Sequence, residues 1–403
     1  MKPTYILISL IAAVTLLSCD HKTDTVNLGI DDVYYISRMQ KLPLKSALTG
    51  AQYRWTVDGI DQGVDRPDYI FLAAEEGTYH LSFSIIDPAT PYDFSFTVHV
   101  LHEEIEYSPY IARVYEYRPA PGQFVNEMPK YEPGDTEADM VQKAEDCISG
   151  TNDVMISLGA YGGYVTFGFD HTVVNLPGEK DFRIWGNAFY ELINPELKGG
   201  SCEPGIVWVS YDENCNGIPD DAWYELAGSD YSNPSTRHGY ALTYYPPDPN
   251  RNIYPLNSFV NDAEYIRYTD NEGASGFVPQ NIFHKQSYWP LWLAEEPYTL
   301  TGTCLPPNAH DTSGNGTYYV LQSFDWGYVD NHPNDNAELN SFDIDWAVDA
   351  EGHAVKLPGI DFVRVQTGIS QYCGWIGETS TELSKAVDLH IPIVSDLPPD
   401  PIP

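Results

Sequence analysis

Apolar and polar residues alternate with a period of two through much of the first hundred residues. Residues 79–85 place Tyr, Leu, Phe and Ile at every second position, and residues 94–100 repeat the pattern with Phe, Phe, Val and Val. Alternate side chains of a strand point to opposite faces of its sheet, so both segments predict strands with one buried face. Residues 53–59 predict another strand that runs into an Asp-Gly turn. We therefore predict a small β-sandwich over residues 27–104, with Trp55 in its core.

The second region, residues 105–391, favours strands and loops with one exception. Apolar residues recur at helical spacing from Met140 to Ile148. Thr136 and Asp139 precede them as in a capping box, and Gly150 follows as a typical stop. These residues predict one short helix. Residues 392–403 are rich in proline, which predicts a disordered tail.

The composition agrees with a fold made of strands. The 403-residue chain contains 30 Tyr, 31 Gly and 31 Pro, and residues that favour long helices form almost no continuous blocks. We predict an all-β protein with an immunoglobulin-like sandwich over residues 27–104. A larger β-sandwich or jelly-roll-like domain, with the one short helix, is predicted to follow over residues 105–391.

The N-terminus has the features of a bacterial lipoprotein signal. Lys2 precedes an apolar run over residues 5–14 that is too short to span a bilayer as a mature helix. The run ends on Leu-Leu-Ser-Cys at residues 16–19, the lipobox pattern in which the cysteine is acylated. We predict a signal peptide over residues 1–18, lipidation at Cys19 and a tether over residues 19–26. The protein is then held at the outer membrane through its lipid anchor alone.

The residues directly after Cys19 bear on which membrane face carries the protein. They are polar and include Asp20, and they resemble the export signal of surface lipoproteins in gut Bacteroidota. The resemblance favours exposure on the cell exterior over retention in the periplasm.

The net charge excludes one class of partner. The chain carries −37 at neutral pH, with 58 Asp and Glu against 21 Lys and Arg. Proteins that bind nucleic acid place clustered Lys and Arg at the phosphates, so we exclude that function. The acidity fits either the solubility of an exposed protein or the binding of cations.

Five cysteines follow the lipobox: Cys147, Cys202, Cys215, Cys304 and Cys373. An odd number leaves at least one of them unpaired, although the compartment permits disulfides. Cys202 and Cys215 are close enough in sequence to form one. Because no spacing matches a zinc site, we assign no metal to the cysteines.

A cluster of oxygen ligands lies between residues 212 and 221. They alternate along the segment: Asp212, Asn214, Asn216, Ile218 and Asp220. Such alternation around a glycine is typical of EF-hand-like calcium loops, because Ca²⁺ needs six to eight oxygens from one tight loop. The twelfth position departs from this pattern, since it holds Trp223 and the nearest acid downstream is Glu225. We predict a structural calcium site, and the alternative is an Asx-rich turn closed by its own hydrogen bonds.

Aromatic residues in loops are candidate contacts for a flat ligand. Five lie in segments punctuated by Gly or Pro: Trp289, Trp292, Trp326, Tyr328 and Trp375. We predict that they bind the ligand, and the alternative for each is a loop residue that folds back onto the core. Trp208 and Trp346 lie in strand-like segments and are predicted to pack. The acidic segment 325–336 predicts a solvated loop.

Signatures of catalysis are absent from the sequence. It contains no Gly-x-Ser-x-Gly elbow, His-Glu-x-x-His helix or Gly-x-x-x-x-Gly-Lys-Ser loop. Carboxylates are numerous, but nothing in their spacing singles out a glycosidase pair. We therefore expect a protein that is not an enzyme.

Several segments resemble known bacterial surface proteins. Tyr-x-Trp-x-x-Asp-Gly at residues 53–59 and Gly-Thr-Tyr-x-Leu at residues 77–81 resemble PKD-type immunoglobulin-like domains, which serve as spacers or mounts. A second set of segments is similar to a large group of bacteroidete cell-surface lipoproteins: residues 181–189, 203–210, 223–229, 341–349 and 374–380. The combination resembles the BtuH-type surface cobamide-binding proteins.

That resemblance implies a nutrient-binding protein. It would capture a cobamide (vitamin B12) outside the cell, as a ligand rather than a cofactor, and pass it to an outer-membrane transporter. We know of no signature for contact with the corrin that can be placed on these residues.

Three functions follow from the sequence. The first is binding of a nutrient, with cobamide ahead of glycan, and it predicts a concave aromatic-lined site of corrin size. The second is adhesion without a small ligand, which predicts a broad flat patch. The third is hydrolysis, which predicts a cleft with convergent carboxylates.

Overall fold

The computed structural model describes residues 28–87, 91–103, 106–294 and 297–392. The predicted signal peptide, Cys19 and the tether lie outside the described residues, and so does the predicted tail from residue 393 onward. Within the described ranges, no helix combines the length and the apolar character needed to cross a membrane.

The N-terminal part forms two packed sheets. Its strands are β1 (Val33–Ser37), β2 (Leu42–Lys45), β3 (Tyr53–Val57), β4 (Ile60–Asp61), β5 (Asp68–Phe71), β6 (Gly77–Ile85) and β7 (Tyr92–Leu101). One sheet has the order β1-β7-β6-β3-β4, and the other pairs β2 with β5. The strands pair antiparallel except β1 and β7, which run parallel. The sheets enclose an apolar core that contains Trp55.

The predicted alternation accounts for this sandwich. On β7, Phe96, Val98 and Val100 are buried, and the residues between them are not. Asp58 and Gly59, which follow β3, have φ angles of 47° and 81°. Two successive positive φ angles are what a tight hairpin turn requires, so the predicted Asp-Gly turn is confirmed.

The rest of the described chain forms many shorter strands. They are β8 (Arg113–Arg118), β9 (Ile156–Ser157), β10 (Tyr164–Val174), β11 (Phe182–Trp185), β12 (Phe189–Tyr190), β13 (Gly199–Ser201), β14 (Gly205–Ser210), β15 (Trp223–Leu226), β16 (Arg237–Tyr244), β17 (Val260–Asp270), β18 (Ser275–Asn281), β19 (Tyr298–Cys304), β20 (Ala309–Asp311), β21 (Tyr319–Gln322), β22 (Ser341–Phe342), β23 (Ala347–Val348), β24 (Gly359–Thr367), β25 (Glu382–Leu383) and β26 (Lys385–Asp388). Two short 3₁₀ helices, Pro195–Leu197 and Ile344–Trp346, interrupt them.

These strands form five sheets, and four of the sheets contribute side chains to one large apolar core. The orders are β23-β15-β14-β24-β10-β8, β18-β17-β16-β19, β22-β11-β26, β12-β13-β21-β20 and β25-β9. Side chains from the six-stranded sheet, such as Phe167 and Val363, share an apolar cluster with Leu242 and Ile266 of the β16–β19 sheet. The predicted all-β class is confirmed.

A single α-helix, α1 (Glu137–Ile148), occurs in the described chain. Thr136 Oγ1 accepts a hydrogen bond from Asp139 N at 3.3 Å, and Asp139 Oδ2 accepts one from Thr136 N at 2.8 Å. The predicted capping box is therefore confirmed. Met140 and Ile148 are buried against the strands, and Gly150 follows the helix with a φ of 58°.

A largely buried lysine side chain joins the N-terminal sandwich to the second region. Lys41 Nζ donates to Asp361 Oδ2 at 2.6 Å and to the Asp212 carbonyl at 2.7 Å. The same ammonium lies 4.2 Å from the centre of the Tyr211 ring. The first sandwich is thus held against the strand that leads into the 212–221 loop.

The five cysteines of the described chain are all free thiols. Cys202 is buried and Cys215 is exposed, so the disulfide considered between them does not form. Burial raises the pKa of the Cys373 thiol to about 12, which keeps it protonated and unreactive.

Candidate functional site

A cavity of about 530 Å³ opens where six segments of the second region meet. Its volume falls in the range of small-molecule sites, about 300–1,000 Å³. Aromatic side chains supply much of the lining: Phe124, Phe189, Phe283, His284, Tyr318, Tyr319 and Trp375. Polar side chains supply most of the remainder: Gln123, Asn187, Glu191, Ser201, Glu203, Ser380 and Glu382.

Two stacked rings stand at the rim of this cavity. Trp375 and Tyr318 have ring centres 6.2 Å apart and planes only 18° from parallel. Both remain exposed, Trp375 by 42% and Tyr318 by 39%. Large apolar rings left open to water beside a concave site are available to a ligand face.

A tight turn holds Trp375 in place. Cys373 N donates to the Gly377 carbonyl at 2.8 Å, and Ile376 N donates to the Cys373 carbonyl at 3.2 Å. Gly377 has a φ of 98°, a backbone conformation that favours glycine. The Trp375 carbonyl also accepts from Asn281 Nδ2 at 2.7 Å, so the ring is mounted on a fixed backbone.

The Tyr318 ring is positioned by the ordered loop that precedes it and by a hydrogen bond at its hydroxyl group. In the loop after β20, the Asp311 carboxylate accepts hydrogen bonds from three backbone N–H groups of residues 313–316. At the other end, the Tyr318 hydroxyl donates to Glu191 Oε2 at 2.9 Å. The ring is therefore ordered before any ligand arrives, which lowers the entropic cost of binding.

The floor of the cavity is a cluster of three carboxylates, Glu203, Asp330 and Glu382, which we call the carboxylate triad. One oxygen from each lies within 4.8 Å of the other two. Each side chain is at most 7% exposed. Glu203 and Glu382 line the cavity directly, and Asp330 lies behind them.

The triad is held by neutral donors. Asp330 Oδ1 accepts from the backbone N–H groups of Asn187 and Ala188, both at 2.7 Å, and its Oδ2 accepts from Glu382 N at 3.0 Å. Asp330 has a left-handed φ of 57°. The backbone at residue 186 can approach the Asp330 carboxylate closely because that residue is glycine. A Cβ at Gly186 would lie only 2.4 Å from Asp330 Oδ1.

Two serines complete the hydrogen bonds of the triad. Glu203 accepts from Ser380 N at 3.1 Å and from Ser201 Oγ at 2.9 Å. Glu382 Oε1 accepts from Ser380 Oγ at 2.7 Å. These bonds fix the carboxylates but bring no positive charge to them.

Burial dominates the electrostatics of the triad. It raises the pKa of Glu203 to about 7, and burial together with the charge of Glu203 raises the pKa of Asp330 to about 8. The pKa of Glu382 is also raised, first by burial and then by the charges of the other two acids. The three side chains therefore resist carrying three negative charges together without a positive partner.

Gln123 lines the same cavity and is only 5% exposed. Its Nε2 donates to the Ile376 carbonyl at 2.8 Å. Its Oε1 is buried and accepts no hydrogen bond from the described residues. This oxygen lies against Gly377, where an added Cβ would be 2.9 Å from it, and an unsatisfied buried acceptor of this kind costs about 1–3 kcal/mol.

Of the five predicted ligand contacts, only Trp375 lies in the cavity. Trp289, Trp292 and Tyr328 are buried, which corrects the prediction that they face a ligand. The Trp292 ring stacks on Tyr117, with ring centres 5.9 Å apart. Burying an aromatic ring stabilises the fold by several kcal/mol. Because these segments can reach the core, the three side chains fold back onto it, which was the alternative to contact with a ligand.

Trp326 is the other exposed ring of the predicted set, at 37%. It is tilted against Trp346, with ring centres 4.6 Å apart, and lies outside the cavity lining. The structure therefore does not bring Trp326 and Trp375 together. Trp208 forms part of β14, as predicted.

The predicted calcium loop is a compact turn. Asp212 accepts hydrogen bonds from Asn216 N at 3.0 Å and Gly217 N at 2.9 Å. The amides of Asn214 and Asn216 each donate to Asp220 at 3.2 Å. The loop thus brings together four of the predicted oxygen ligands and also satisfies them internally, as the Asx-turn alternative requires. Calcium binding here stays a prediction.

The fifth predicted ligand of the loop is placed differently from the other four. Ile218 N donates to Asn216 Oδ1 at 2.7 Å, and the Ile218 side chain is exposed. Glu225, the nearest downstream acid considered for closing the loop, is buried in β15 and accepts from Thr303. Asp221 approaches the loop instead, since its Oδ2 accepts from Asn214 Nδ2 at 3.3 Å.

The prediction of a solvated loop over residues 325–336 is wrong at its centre. Asp330, Asn331 and His332 are buried. Asn331 closes the loop through both ends of its amide, accepting from Phe324 N at 2.8 Å and donating to the Phe324 carbonyl at 2.9 Å. The acidic composition of this segment gave no indication that the Asp330 carboxylate is buried and belongs to the site.

Sequence reasoning missed the triad and Gln123. The segments that contain Glu203 and Ser380 are among those that resemble surface lipoproteins. The resemblance therefore includes residues of the cavity floor but does not indicate their chemistry. Any two of the three acids are more than fifty residues apart along the chain. Only the meeting of several loops brings them into one cluster.

Comparison with protein-family models and with curated proteins finds no match. Among solved structures, a SusE-like protein, BT2857, aligns with 88% of this chain and 95% of its own, at 8% identity and a TM-score of 0.32. A structure concerning carbohydrate-binding modules of the β-sandwich superfamily aligns with 88% of this chain and 93% of its own, at 8% identity and a TM-score of 0.15. Both TM-scores are low, and neither likeness indicates a function.

Proposed function

We propose that this protein binds a neutral glycan in the aromatic cavity and that it does so at the cell surface. The observation that supports this most directly is the exposed, stacked pair of Trp375 and Tyr318 above a floor of buried oxygen acceptors.

The chemistry of a sugar complements this arrangement. A pyranose ring has an apolar C–H face, which packs on an aromatic ring, and an edge of hydroxyl groups that donate hydrogen bonds. The carboxylates of Glu191, Glu203 and Glu382, which line the cavity, are acceptors for such hydroxyls.

The charge of the site favours a neutral ligand over an acidic one. Glu191, Glu203 and Glu382 line the cavity, and the whole chain carries −37. A phosphate or uronate placed there would be repelled. A cobamide carries a phosphate, so glycan is favoured over the cobamide that the family resemblance implies.

Hydrolysis is the second candidate, because the cavity does contain the convergent carboxylates predicted for a hydrolase. The burial of the triad argues against it. The three carboxylates are at most 7% exposed and are tied by backbone and serine donors, whereas an acid catalyst must reach the scissile bond. We therefore propose binding without cleavage.

The remaining predictions concern location and delivery. The lipobox at residues 16–19 supports an anchor at Cys19 and attachment to the outer membrane. We propose that the cavity faces the cell exterior and that the captured glycan is handed to an outer-membrane transporter.

The test is a glycan array probed with the purified protein, followed by calorimetry with the strongest hit. Trp375→Ala should weaken that binding by about tenfold or more, since loss of a buried aromatic contact costs about 1–2 kcal/mol and each 1.4 kcal/mol is tenfold. Trp326→Ala is the matched control: it removes an equally exposed tryptophan outside the cavity and should leave the affinity unchanged.

The array and the calorimetry also separate the alternatives. Binding to neutral oligosaccharides but not to uronate-containing ones supports the proposal. Failure of every glycan together with tight one-to-one binding of cyanocobalamin would overturn it in favour of cobamide. Release of shorter sugars during a long incubation with the bound oligosaccharide would show a hydrolase instead.

A further inference from the structure

The six-stranded sheet carries aromatic side chains on the face that points away from the core. Val207 and Val363, on its central strands β14 and β24, belong to the large apolar core. Trp208 and Arg364 are the next residues along these strands and pair with each other, so they point to the opposite face. The outer face of an antiparallel sheet is ordinarily polar, so large rings placed there indicate a contact surface.

A pocket of about 230 Å³ lies on this face, where β19 passes the sheet. We call it the sheet-face pocket, and its side-chain walls are Tyr164, Trp208, Trp223, Thr301, Arg364 and Gln366. None of these residues lines the cavity that contains Trp375. Pockets for whole small molecules measure about 300–1,000 Å³, so this one has room for a single ring rather than a chain of them.

The walls are held in place by the Arg364 guanidinium. Its Nε donates to Thr166 Oγ1 at 3.0 Å and its Nη2 donates to Glu116 Oε2 at 2.7 Å. The central guanidinium carbon lies 4.3 Å from the centre of the Trp223 ring and 4.4 Å from that of Tyr164. Rings ordered by such contacts lose little further freedom when a ligand binds.

Two polar atoms of the walls have unused hydrogen-bonding capacity. Arg364 Nη1 makes no hydrogen bond within the described residues, and Gln366 Oε1 accepts none there, although Gln366 Nε2 donates to two carbonyl groups. Neither atom is among the fully enclosed ones. Gly302, which also lines the pocket, leaves Gln366 Oε1 uncovered, because an added Cβ would collide with that oxygen.

The chemistry of these walls fits a neutral sugar unit. Trp208 and Trp223 offer ring surface for an apolar C–H face, and Trp208 offers no donor because its Nε1 is enclosed. Arg364 Nη1 can donate, Gln366 Oε1 can accept and the exposed Thr301 hydroxyl can do both, which matches sugar hydroxyl groups.

The charge of the pocket argues for a neutral ligand. The ion pair with Glu116 balances the charge of Arg364. The chain as a whole carries −37, which repels rings that carry phosphate.

We propose that the sheet-face pocket binds one neutral sugar unit and is a second glycan site of this protein. The inference rests on the walls of this pocket alone and goes beyond the function proposed above, since the two sites share no residue.

The test is fluorine NMR of the purified protein labelled with fluorotryptophan. The chain contains nine Trp, and replacing each with phenylalanine in turn assigns its resonance. The probes are the methyl glycosides of glucose, galactose, mannose and N-acetylglucosamine, with galacturonate as the acidic probe. At least one neutral glycoside should shift the Trp208 and Trp223 resonances in a saturable way. Failure of all four to shift either resonance would overturn the proposal.

A matched pair of variants tests the contact itself. Trp223→Ala should weaken binding of the active glycoside by at least about tenfold, followed through the Trp208 resonance. Trp185→Ala is the control, because Trp185 is also half-buried beside an arginine, Arg183, at 4.1 Å but lines neither cavity. Equal affinity in the native protein and a folded Trp223→Ala variant would overturn the proposal. If that variant does not fold, the titration of the native protein decides.

Trp375→Ala separates the two sites, since it removes a ring from the first cavity only. The Trp223 response should be unchanged in this variant, and its loss would show a single site and overturn the proposal. A shift with galacturonate alone would overturn the neutral ligand class. If Trp223 responds to a glycoside while no glycan binds at Trp375, the second site stands and the function proposed for the first cavity fails.

Discussion

Glu225 shows how a single buried carboxylate couples the stability of this fold to pH. It lies in β15, is 5% exposed, and its Oε2 accepts from Thr303 Oγ1 at 2.5 Å. Burial raises its pKa to about 7, and the Thr303 hydrogen bond lowers it by less. Between about pH 4.5 and pH 7 the folded state therefore holds a proton that the unfolded state has released. Stability contributed by this group falls as the pH rises through that window.

Glu225→Gln should remove this dependence. We expect the variant to gain about 2–3 kcal/mol relative to the native protein between about pH 5 and about pH 8, because one pKa unit corresponds to about 1.4 kcal/mol. Urea unfolding at the two pH values measures the difference. Glu196→Gln, at an exposed position, is the control and should leave the pH dependence unchanged. An identical pH dependence in the native protein and in Glu225→Gln would contradict the prediction.

At the scale of elements, α1 is specified by its own residues. Thr136 and Asp139 exchange hydrogen bonds across the first turn, and the buried stripe Met140–Ala144–Ile148 is read directly from the spacing. The helix needs no partner to set its start, since the capping box satisfies backbone N–H groups that are otherwise left without acceptors. Tertiary packing decides only which strands the buried face of the helix contacts.

Thr136→Ala should therefore destabilise the protein by about 1 kcal/mol, the usual cost of losing an N-cap side chain. Chemical denaturation detects this as a lower midpoint with an unchanged slope. Thr151→Ala removes the same hydroxyl from an exposed position after the helix and should have almost no effect. Equal losses from the two substitutions would show that the cap contributes nothing specific.

At the scale of the whole molecule, Lys41 is the main polar contact between the N-terminal sandwich and the second region. Its ammonium donates to Asp361 and to the Asp212 carbonyl and lies over the Tyr211 ring. Asp361 also accepts from Thr172 Oγ1 at 2.6 Å, so several strands meet at this one carboxylate. Loss of the lysine leaves a largely buried carboxylate without its counter-ion.

Lys41→Met should lower the free energy of unfolding by about 1–3 kcal/mol, the cost of an unpaired buried charge group. Thermal unfolding followed by calorimetry measures the loss. Lys45→Met, on the exposed face of β2, changes the same charge without breaking a buried contact and is the control. A melting temperature that is the same for the native protein and Lys41→Met would contradict the role given to this contact.

The sequence by itself determined the features that depend on neighbouring residues. The alternating strands of the first sandwich, the Asp58-Gly59 turn, the burial of Trp55 and the capped helix all follow from periodicity and local backbone preference, and all are present. The all-β class follows for the same reason, since each strand carries its own pattern.

Only the tertiary structure decided the site. Trp292 is buried and Trp375 is exposed at the cavity, although both lie in loop segments of the same kind of composition. The difference depends on which parts of the fold each segment contacts. Glu203, Asp330 and Glu382 become a cluster because three separate segments converge, and a charged residue in a loop is ordinarily solvated. Local patterns set the elements, but long-range contacts placed the acids where burial changes their chemistry.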